Sequence, residues 1–227
     1  MESKEKNILR LHEVRQEEGN VKTFIFEHDG LEWKPGQYQG YSLPISDVPE
    51  ERERWFTIAS APRERFIHIS TRVSESAFKQ ALDHLKVGDT IESYELGGDF
   101  LWEESDKEAV FIAGGIGITP FRSMIVERDL AGLSIPATLI YFNRTNEIPF
   151  HNEFKAIQER HPEFVLKEIV GEQISAERIF ELAPDGEGKT FFLSGPEGMV
   201  EAVGNDLESR GVHVKRDWFP GYDEHNF

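Results

Sequence analysis

One stretch near the middle constrains this chain more than any other: Ala113-Gly-Gly-Ile-Gly-Ile-Thr-Pro-Phe-Arg122. Ahead of it, Ala109-Val-Phe-Ile-Ala113 is short, apolar and β-branched enough for a buried parallel strand. Behind it the spacing predicts a helix, with Thr119 as N-cap, Pro120 at the first helical position, and Phe121, Met124 and Ile125 as the apolar face. A strand, a glycine turn and a helix in that order let backbone approach an anion closely. Gly114, Gly115 and Gly117 carry no β-carbon, and the free N–H groups of the helix start face outward. The same pattern also serves as a tight turn with no ligand. Its spacing, Gly-Gly-x-Gly-x-Thr-Pro, is not the Gly-x-Gly-x-x-Gly of the common dinucleotide fingerprint.

The residues on either side of this stretch follow two different rhythms. Before about residue 105 the pattern is β. Ile8–His12, Val21–Phe26, Trp33–Leu43, Arg54–Ala59, Phe66–Thr71 and Thr90–Tyr94 read as six short strands separated by turn signals, which suggests a small antiparallel barrel. One helix interrupts them, from an N-cap at Ser76 to about Leu85, with Phe78, Ala81, Leu82 and Leu85 as its buried stripe. After about Glu108, strands and helices alternate. Ala109–Ala113, Ala137–Asn143, Phe164–Val170, Thr190–Ser194 and Val212–Arg216 are strands, and helices are expected near 120–130, 151–160, 175–182 and 197–210. That rhythm calls for a five-stranded parallel sheet with helices on both faces. The expected domains are therefore 1–104 and 105–227, joined through Glu103-Glu-Ser-Asp-Lys107, with a ligand cleft between them.

A net charge of −17 argues against a nucleic-acid partner, because phosphate contacts need clustered Lys and Arg. No apolar run approaches the roughly 18 residues of a membrane span. The charged start Met1-Glu-Ser-Lys-Glu-Lys-Asn7 lacks the apolar core of a secretory signal. With no cysteine the chain has no disulfide and no thiolate for zinc or an iron–sulfur cluster, and a cytoplasmic location is expected. The eight histidines fall in no ligand-like cluster, so no metal site is expected and His68 and His213 read as structural.

On the strand Arg54-Trp-Phe-Thr-Ile-Ala-Ser60, alternation sets Arg54, Phe56 and Ile58 on one face and Trp55, Thr57 and Ala59 on the other. An aromatic wall, a guanidinium fork and a hydroxyl would suit a planar ligand with a phosphate tail. The alternative is an edge strand whose aromatics belong to the barrel core. Arg-x-Phe-Thr-x-x-Ser at 54–60 resembles the flavin motif of the ferredoxin–NADP reductase superfamily, and Gly114–Pro120 resembles that family's nicotinamide-dinucleotide phosphate loop. Pro35-Gly-Gln-Tyr38, Tyr141-Phe-Asn-Arg-Thr145 and Ser194-Gly-Pro-Glu-Gly-Met199 fit the same family in order, so the match runs from about Trp33 to Phe219.

The resemblance implies an FAD-dependent NAD(P)H oxidoreductase with a flavin-binding barrel and a nucleotide-binding α/β domain. Arg54 then holds the flavin pyrophosphate, Phe56 lies beside the isoalloxazine with Trp55 next to it, and Thr57 sits near flavin N5. Ser70 and Thr71 on the following strand join this site. Ser76, Ala77, Phe78 and Lys79 stand where the family makes a second pyrophosphate contact, although Lys79 reads equally well as a solvated lysine. Gly114, Gly115, Gly117, Thr119 and Pro120 receive the NAD(P)H pyrophosphate, while Asn143 and Arg144 lie nearest the adenosine ribose. Arg144 would suit the 2′-phosphate of NADPH over NADH, or pair with a surface carboxylate. Ser194 stands where many relatives have a cysteine beside the nicotinamide, followed by Gly195, Pro196 and Met199. Arg216-Asp-Trp-Phe219 resembles an acidic-x-aromatic ending in which Phe219 covers the flavin, with Trp218, Tyr222 and Phe227 as alternatives. Thr57, Ser194 and Phe219 are thus the expected catalytic positions. The implied acceptor is external: ferredoxin, flavodoxin, a partner subunit, free flavin or a small oxidant. An acidic ferredoxin would need a basic patch from Arg63, Arg65 and Arg72. A non-catalytic electron-transfer subunit is the remaining reading.

Overall fold

The structure is a computed structural model that describes residues 6–46 and 48–219. Its first half is an antiparallel sheet of β1 (Lys6–Gln16), β2 (Val21–Glu27), β3 (Tyr38–Ser42), β4 (Glu53–Thr57), β5 (Ile67–Arg72) and β6 (Thr90–Gly97), in the order β4-β3-β6-β1-β2-β5. Past the end of β4, the Ala59 N–H donates to the His68 carbonyl at 2.9 Å, so the two edge strands are bridged and the sheet curls into a half-barrel. Its interior holds Leu9, Phe24, Phe26, Tyr41, Phe56, Ile67 and Ile69. The strand expected from Trp33 is shorter, because Pro35-Gly36 makes a turn. Gly36 has φ +96°, and a β-carbon there would lie 2.1 Å from the Phe100 carbonyl oxygen. A one-turn helix, α1 (Pro49–Arg52), precedes β4 and left no periodic signal in four residues.

Helix α2 (Ala77–His84) starts as expected, with the Ser76 hydroxyl accepting from Lys79 N at 3.4 Å. Phe78 and Leu82 are buried in the barrel core, with Ala81 and Leu85 partly buried against it. The chain changes sheets between β6 and β7 (Ala109–Gly114).

In the second half, β7, β8 (Ala137–Asn143), β9 (Val165–Val170), β10 (Thr190–Pro196) and β11 (His213–Phe219) are parallel, ordered β11-β10-β7-β8-β9. Period-two alternation divides the strand residues between two cores. Phe111, Ala113, Leu139, Tyr141 and Phe192 face α3 (Thr119–Leu130) and α4 (His151–Arg160), while Val110, Ile112, Ile140, Phe142 and Leu193 face α5 (Ala176–Leu182) and α6 (Glu197–Ser209). Both faces are covered, which is why these strands read as unbroken apolar runs. In α3 every residue from Thr119 to Val126 is buried, rather than one face, because the helix is enclosed by the sheet behind it and the barrel in front.

Candidate active site

The parallel register lines up one residue from each strand near the carboxyl edge of the sheet: Asp217, Ser194, Ala113, Tyr141 and Glu168 are successive partners from β11 to β9. Ala113 and Tyr141 belong to the core that faces α3, so the row looks toward the half-barrel. Carboxyl ends of parallel strands are where open α/β sheets take their ligands. The Ser194 hydroxyl, fully buried, donates to Asp217 Oδ2 at 3.3 Å. Burial pushes the Asp217 carboxyl up to about 7, against the lowering effect of the Ser194 hydrogen bond and helped by the nearby Asp99. One residue on, Trp218 pairs with Gly195 and is 44% exposed. Phe219 pairs with Pro196 through its backbone at the same edge. The Phe219 side chain, Tyr222 and Phe227 lie outside the described residues.

The glycine turn is a single 3-10 turn, Gly115–Ile118, between β7 and α3. Gly115 has φ +51°, and a β-carbon on Gly117 would lie 2.3 Å from the Ser194 carbonyl oxygen. The turn is thus pressed against β10, and Gly117 is required by that contact whatever ligand is present. Thr119 is not the N-cap. The 3-10 turn runs straight into α3, so Ile118 takes the cap position with helical φ/ψ and the Thr119 hydroxyl donates back to Ile116 O at 3.2 Å. Pro120 therefore stands second in the helix rather than first, still within the first turn, where its missing N–H costs nothing. Met199, in the first turn of α6, places its Cε 2.4 Å from where a Gly195 β-carbon would be.

On the barrel side, Phe56 packs between Tyr41 and Phe78 with ring centroids 6.1 and 5.9 Å away, so it is a core residue of an edge strand. Trp55 is 41% exposed and meets Tyr38 and Tyr94 edge-on. Thr57 is buried. The part-buried Arg54 donates to Glu53 O at 2.7 Å and is the cross-strand partner of Tyr41 on β3. Ser70 is committed to the barrel through a 2.8 Å hydrogen bond with Thr23, and Thr71 donates to Arg72 O at 3.4 Å. Lys79 is buried, which removes its reading as a solvated lysine. Arg144 is exposed just past β8.

Several buried polar atoms lack a partner within the protein. Near the carboxyl end of β8 one is Arg72 Nε, whose charge reaches Tyr141 from the barrel, while the buried Tyr141 hydroxyl and Asn143 amide have no partner beyond each other. In the barrel, beside the strand that carries Arg54, they are Tyr41 Oη, Gln39 Oε1 and Ser93 Oγ. Unpaired buried groups are costly and mark places where a polar ligand or water completes the set.

The two halves are tied together at the end of the 54–60 motif. Ser60, the last residue of the 54–60 motif, accepts hydrogen bonds at its carbonyl from the Ser123 hydroxyl of α3 at 2.6 Å and from Trp33 Nε1 at 3.1 Å. Asp217, Tyr141, Arg72 and Arg122 were missing from the expected site. Asp217 stood in the acidic-x-aromatic ending and was readable there. The others depend on strand register and on partners distant in sequence. Of the arginines expected to form a basic patch, Arg63 pairs with Glu127 at 3.0 Å, Arg72 donates to the neutral Asn20 at 3.1 Å, and Arg65 is exposed. Among the described residues no cluster of His, Asp or Glu suits a metal, and no helix is long and apolar enough to cross a membrane.

Residues 111–205 match the family model of the oxidoreductase NAD-binding domain. The chain is 28% identical over 221 residues to the flavohemoprotein of Pseudomonas putida, covering 90% of this chain and 56% of the relative. It is 28% identical over 240 residues to the glycine betaine monooxygenase reductase subunit of Chromohalobacter salexigens, covering 96% of this chain and 63% of that one. The chain therefore spans little more than half the length of such curated relatives. The FAD/NAD-binding domain of nitric oxide dioxygenase from Vibrio cholerae superposes with a TM-score of 0.80 at 21% identity, covering 94% of this chain and 98% of that one. A ferredoxin NADP+ reductase from Neisseria gonorrhoeae, solved with FAD and NADP bound, gives 0.78 at 17% identity, covering 96% and 99%. Residues 111–205 are thus an oxidoreductase NAD-binding domain, and the half-barrel followed by a parallel sheet is the two-domain fold of the ferredoxin NADP+ reductases.

Proposed function

We propose that this chain is an FAD-holding NAD(P)H oxidoreductase, with a flavin half at 1–104, a nucleotide half at 105–227, and electrons passing to an acceptor outside these residues. The observation that carries the proposal is the tie between Ser60 and Ser123: the strand motif suited to a flavin and the helix opened by the glycine turn are joined by a 2.6 Å hydrogen bond. Two ligands held by these elements would have their reactive rings at one interface, which is what hydride transfer requires. FAD bound there would supply two-electron redox chemistry, with NAD(P)H as the hydride donor.

The residues present fit both groups. Arg54 offers a guanidinium to a pyrophosphate, supported by the N-terminus of α2 and Lys79, and the orphaned Tyr41, Gln39 and Ser93 groups can complete a polar chain. The turn at 114–118 and the start of α3 can receive a second pyrophosphate, and Arg72 Nε with the Tyr141–Asn143 pair can offer polar atoms to a ribose or phosphate. Thr57 orients the flavin ring and Ser194 the nicotinamide; the expected cover by Phe219 falls on a side chain outside the described residues. Asp217, whose carboxyl burial pushes up to about 7, accepts from the Ser194 hydroxyl and so orients it. Arg144, exposed beyond β8, suits a 2′-phosphate, so NADPH is placed ahead of NADH.

A partner subunit or a small oxidant is favoured as acceptor over an acidic ferredoxin or flavodoxin, because the chain carries −17 and Arg63, one of the three arginines of its candidate basic patch, is neutralised by Glu127. The cysteine-free sequence fits a cytoplasmic location. The test is reconstitution with FAD followed by gel filtration. One flavin retained per chain is expected, with Arg54→Ala lowering occupancy at least fivefold while the α/β half stays folded by circular dichroism. Full occupancy in Arg54→Ala would remove the pyrophosphate assignment. Flavin lost on the column yet turned over in assay would identify a reductase that uses flavin as substrate.

A further inference from the structure

Arg122 lies on α3, four residues after the glycine turn ends, and is almost completely buried. All five of its N–H bonds are used. Nε and Nη2 fork onto Glu153 at 2.8 and 2.7 Å, Nη1 and Nη2 fork onto Glu64 at 2.9 Å each, and Nη1 also donates to Ala59 O at 2.8 Å. Its three partners come from different places. Ala59 is two residues beyond Thr57, Glu64 is in the turn before β5, and Glu153 is on α4. Glu64 is fixed in turn by Ala61 N at 2.7 Å, and Arg122 stands over the Phe150 ring at 5.3 Å. A guanidinium satisfied in its own plane by two carboxylates and a carbonyl tolerates little rotation or translation. No expected ligand contact falls on this residue.

We propose that Arg122 is a positioning residue, locking the helix of the glycine turn to the chain segment that follows Thr57 and so setting the ring-to-ring approach needed for hydride transfer. This rests on the function proposed above. A charge alone would not do the same: lysine has no fork, and its three donors cannot reach two carboxylates and a carbonyl in one plane. Glu153→Gln is the milder change, because it leaves the Ala59 and Glu64 contacts in place.

The test compares wild type, Arg122→Lys and Glu153→Gln. Flavin content and NADP+ affinity of Arg122→Lys should stay within twofold of wild type. Its anaerobic flavin reduction at saturating NADPH should slow 10- to 100-fold, with loss of the long-wavelength charge-transfer absorbance that marks stacked nicotinamide and flavin. Glu153→Gln should slow no more than about threefold. Because the chain has no cysteine, Glu13→Cys and Glu201→Cys can carry spin labels, one on each half. Without added cofactors, wild type should give one narrow inter-label distance and Arg122→Lys a broadened one. A lowered melting temperature with an unchanged reduction rate and a narrow distance would overturn the proposal, and so would loss of flavin or nucleotide binding in place of slowed reduction. A wild type that binds no flavin would instead sink the underlying function, leaving the label distances to judge Arg122 alone.

Discussion

At the scale of single residues, the most informative pair is Ser194 and Asp217. A carboxylate unfolds with a pKa near 3.9, whereas burial holds Asp217 at about 7 in the folded chain. Between those values the folded state binds more protons, so stability declines as pH rises from about 4 to 7 and levels off above 7. Asp217→Asn removes this cost. It should raise stability by on the order of 1–3 kcal/mol at pH 8 and by nearly nothing at pH 4, read as urea midpoints at the two pH values. An equal gain at both pH values would mean that the folded carboxyl titrates normally. His68 behaves oppositely: burial holds it down at about 4, so it stays neutral and its share of stability is lost as pH falls below about 6.5. Asp217 was within reach of a sequence reading, because it sits in the acidic-x-aromatic ending. Tyr141 was not, since its place in the row with Ser194 comes from register across β7, which no local pattern encodes.

At the scale of elements, periodicity did most of the work. Period-two alternation located the barrel strands and the wholly apolar runs located the parallel ones, since both faces of that sheet are covered. Capping chemistry found the start of α2 and misplaced that of α3, where a 3-10 turn supplies the helix entry and Thr119 bonds backward. The glycine turn itself has two duties. Its openness to an anion was legible, while its packing against β10 was not. Gly117→Ala drives a β-carbon into the Ser194 carbonyl at 2.3 Å, so it should cost about 2–4 kcal/mol and weaken nucleotide binding with it. Gly198→Ala, in the first turn of α6 with open space around it, should instead be neutral or stabilising by up to about 0.5 kcal/mol. Thermal melts of the two variants decide this, and similar losses in both would remove the packing argument.

At the scale of the whole molecule, two halves of different architecture meet along a seam of polar contacts. Ser60, Ala59 and Glu64 come from one side, and Ser123, Arg122 and Glu153 from the other. The two-part division was readable from the change of rhythm near residue 105, but the seam was not, because Arg122 and Glu64 are 58 residues apart. Removing one member of such a buried ion cluster leaves charge without a partner, at a cost of about 3–5 kcal/mol. Arg122→Met should therefore lower the melting temperature clearly, and pairing it with Glu64→Gln should recover part of the loss. No recovery in the double variant would mean that packing, not charge, holds the seam.

The central claim is that a ring held by the half-barrel and a ring held by the parallel sheet face each other at this seam. Anaerobic titration of the FAD-loaded chain with NADPH, and separately with NADH, tests it most directly. The account predicts bleaching of the flavin absorbance by one equivalent of at least one nucleotide, preceded by a long-wavelength charge-transfer band. A flavin that stays oxidised under excess of both nucleotides, each shown to be bound, would contradict it.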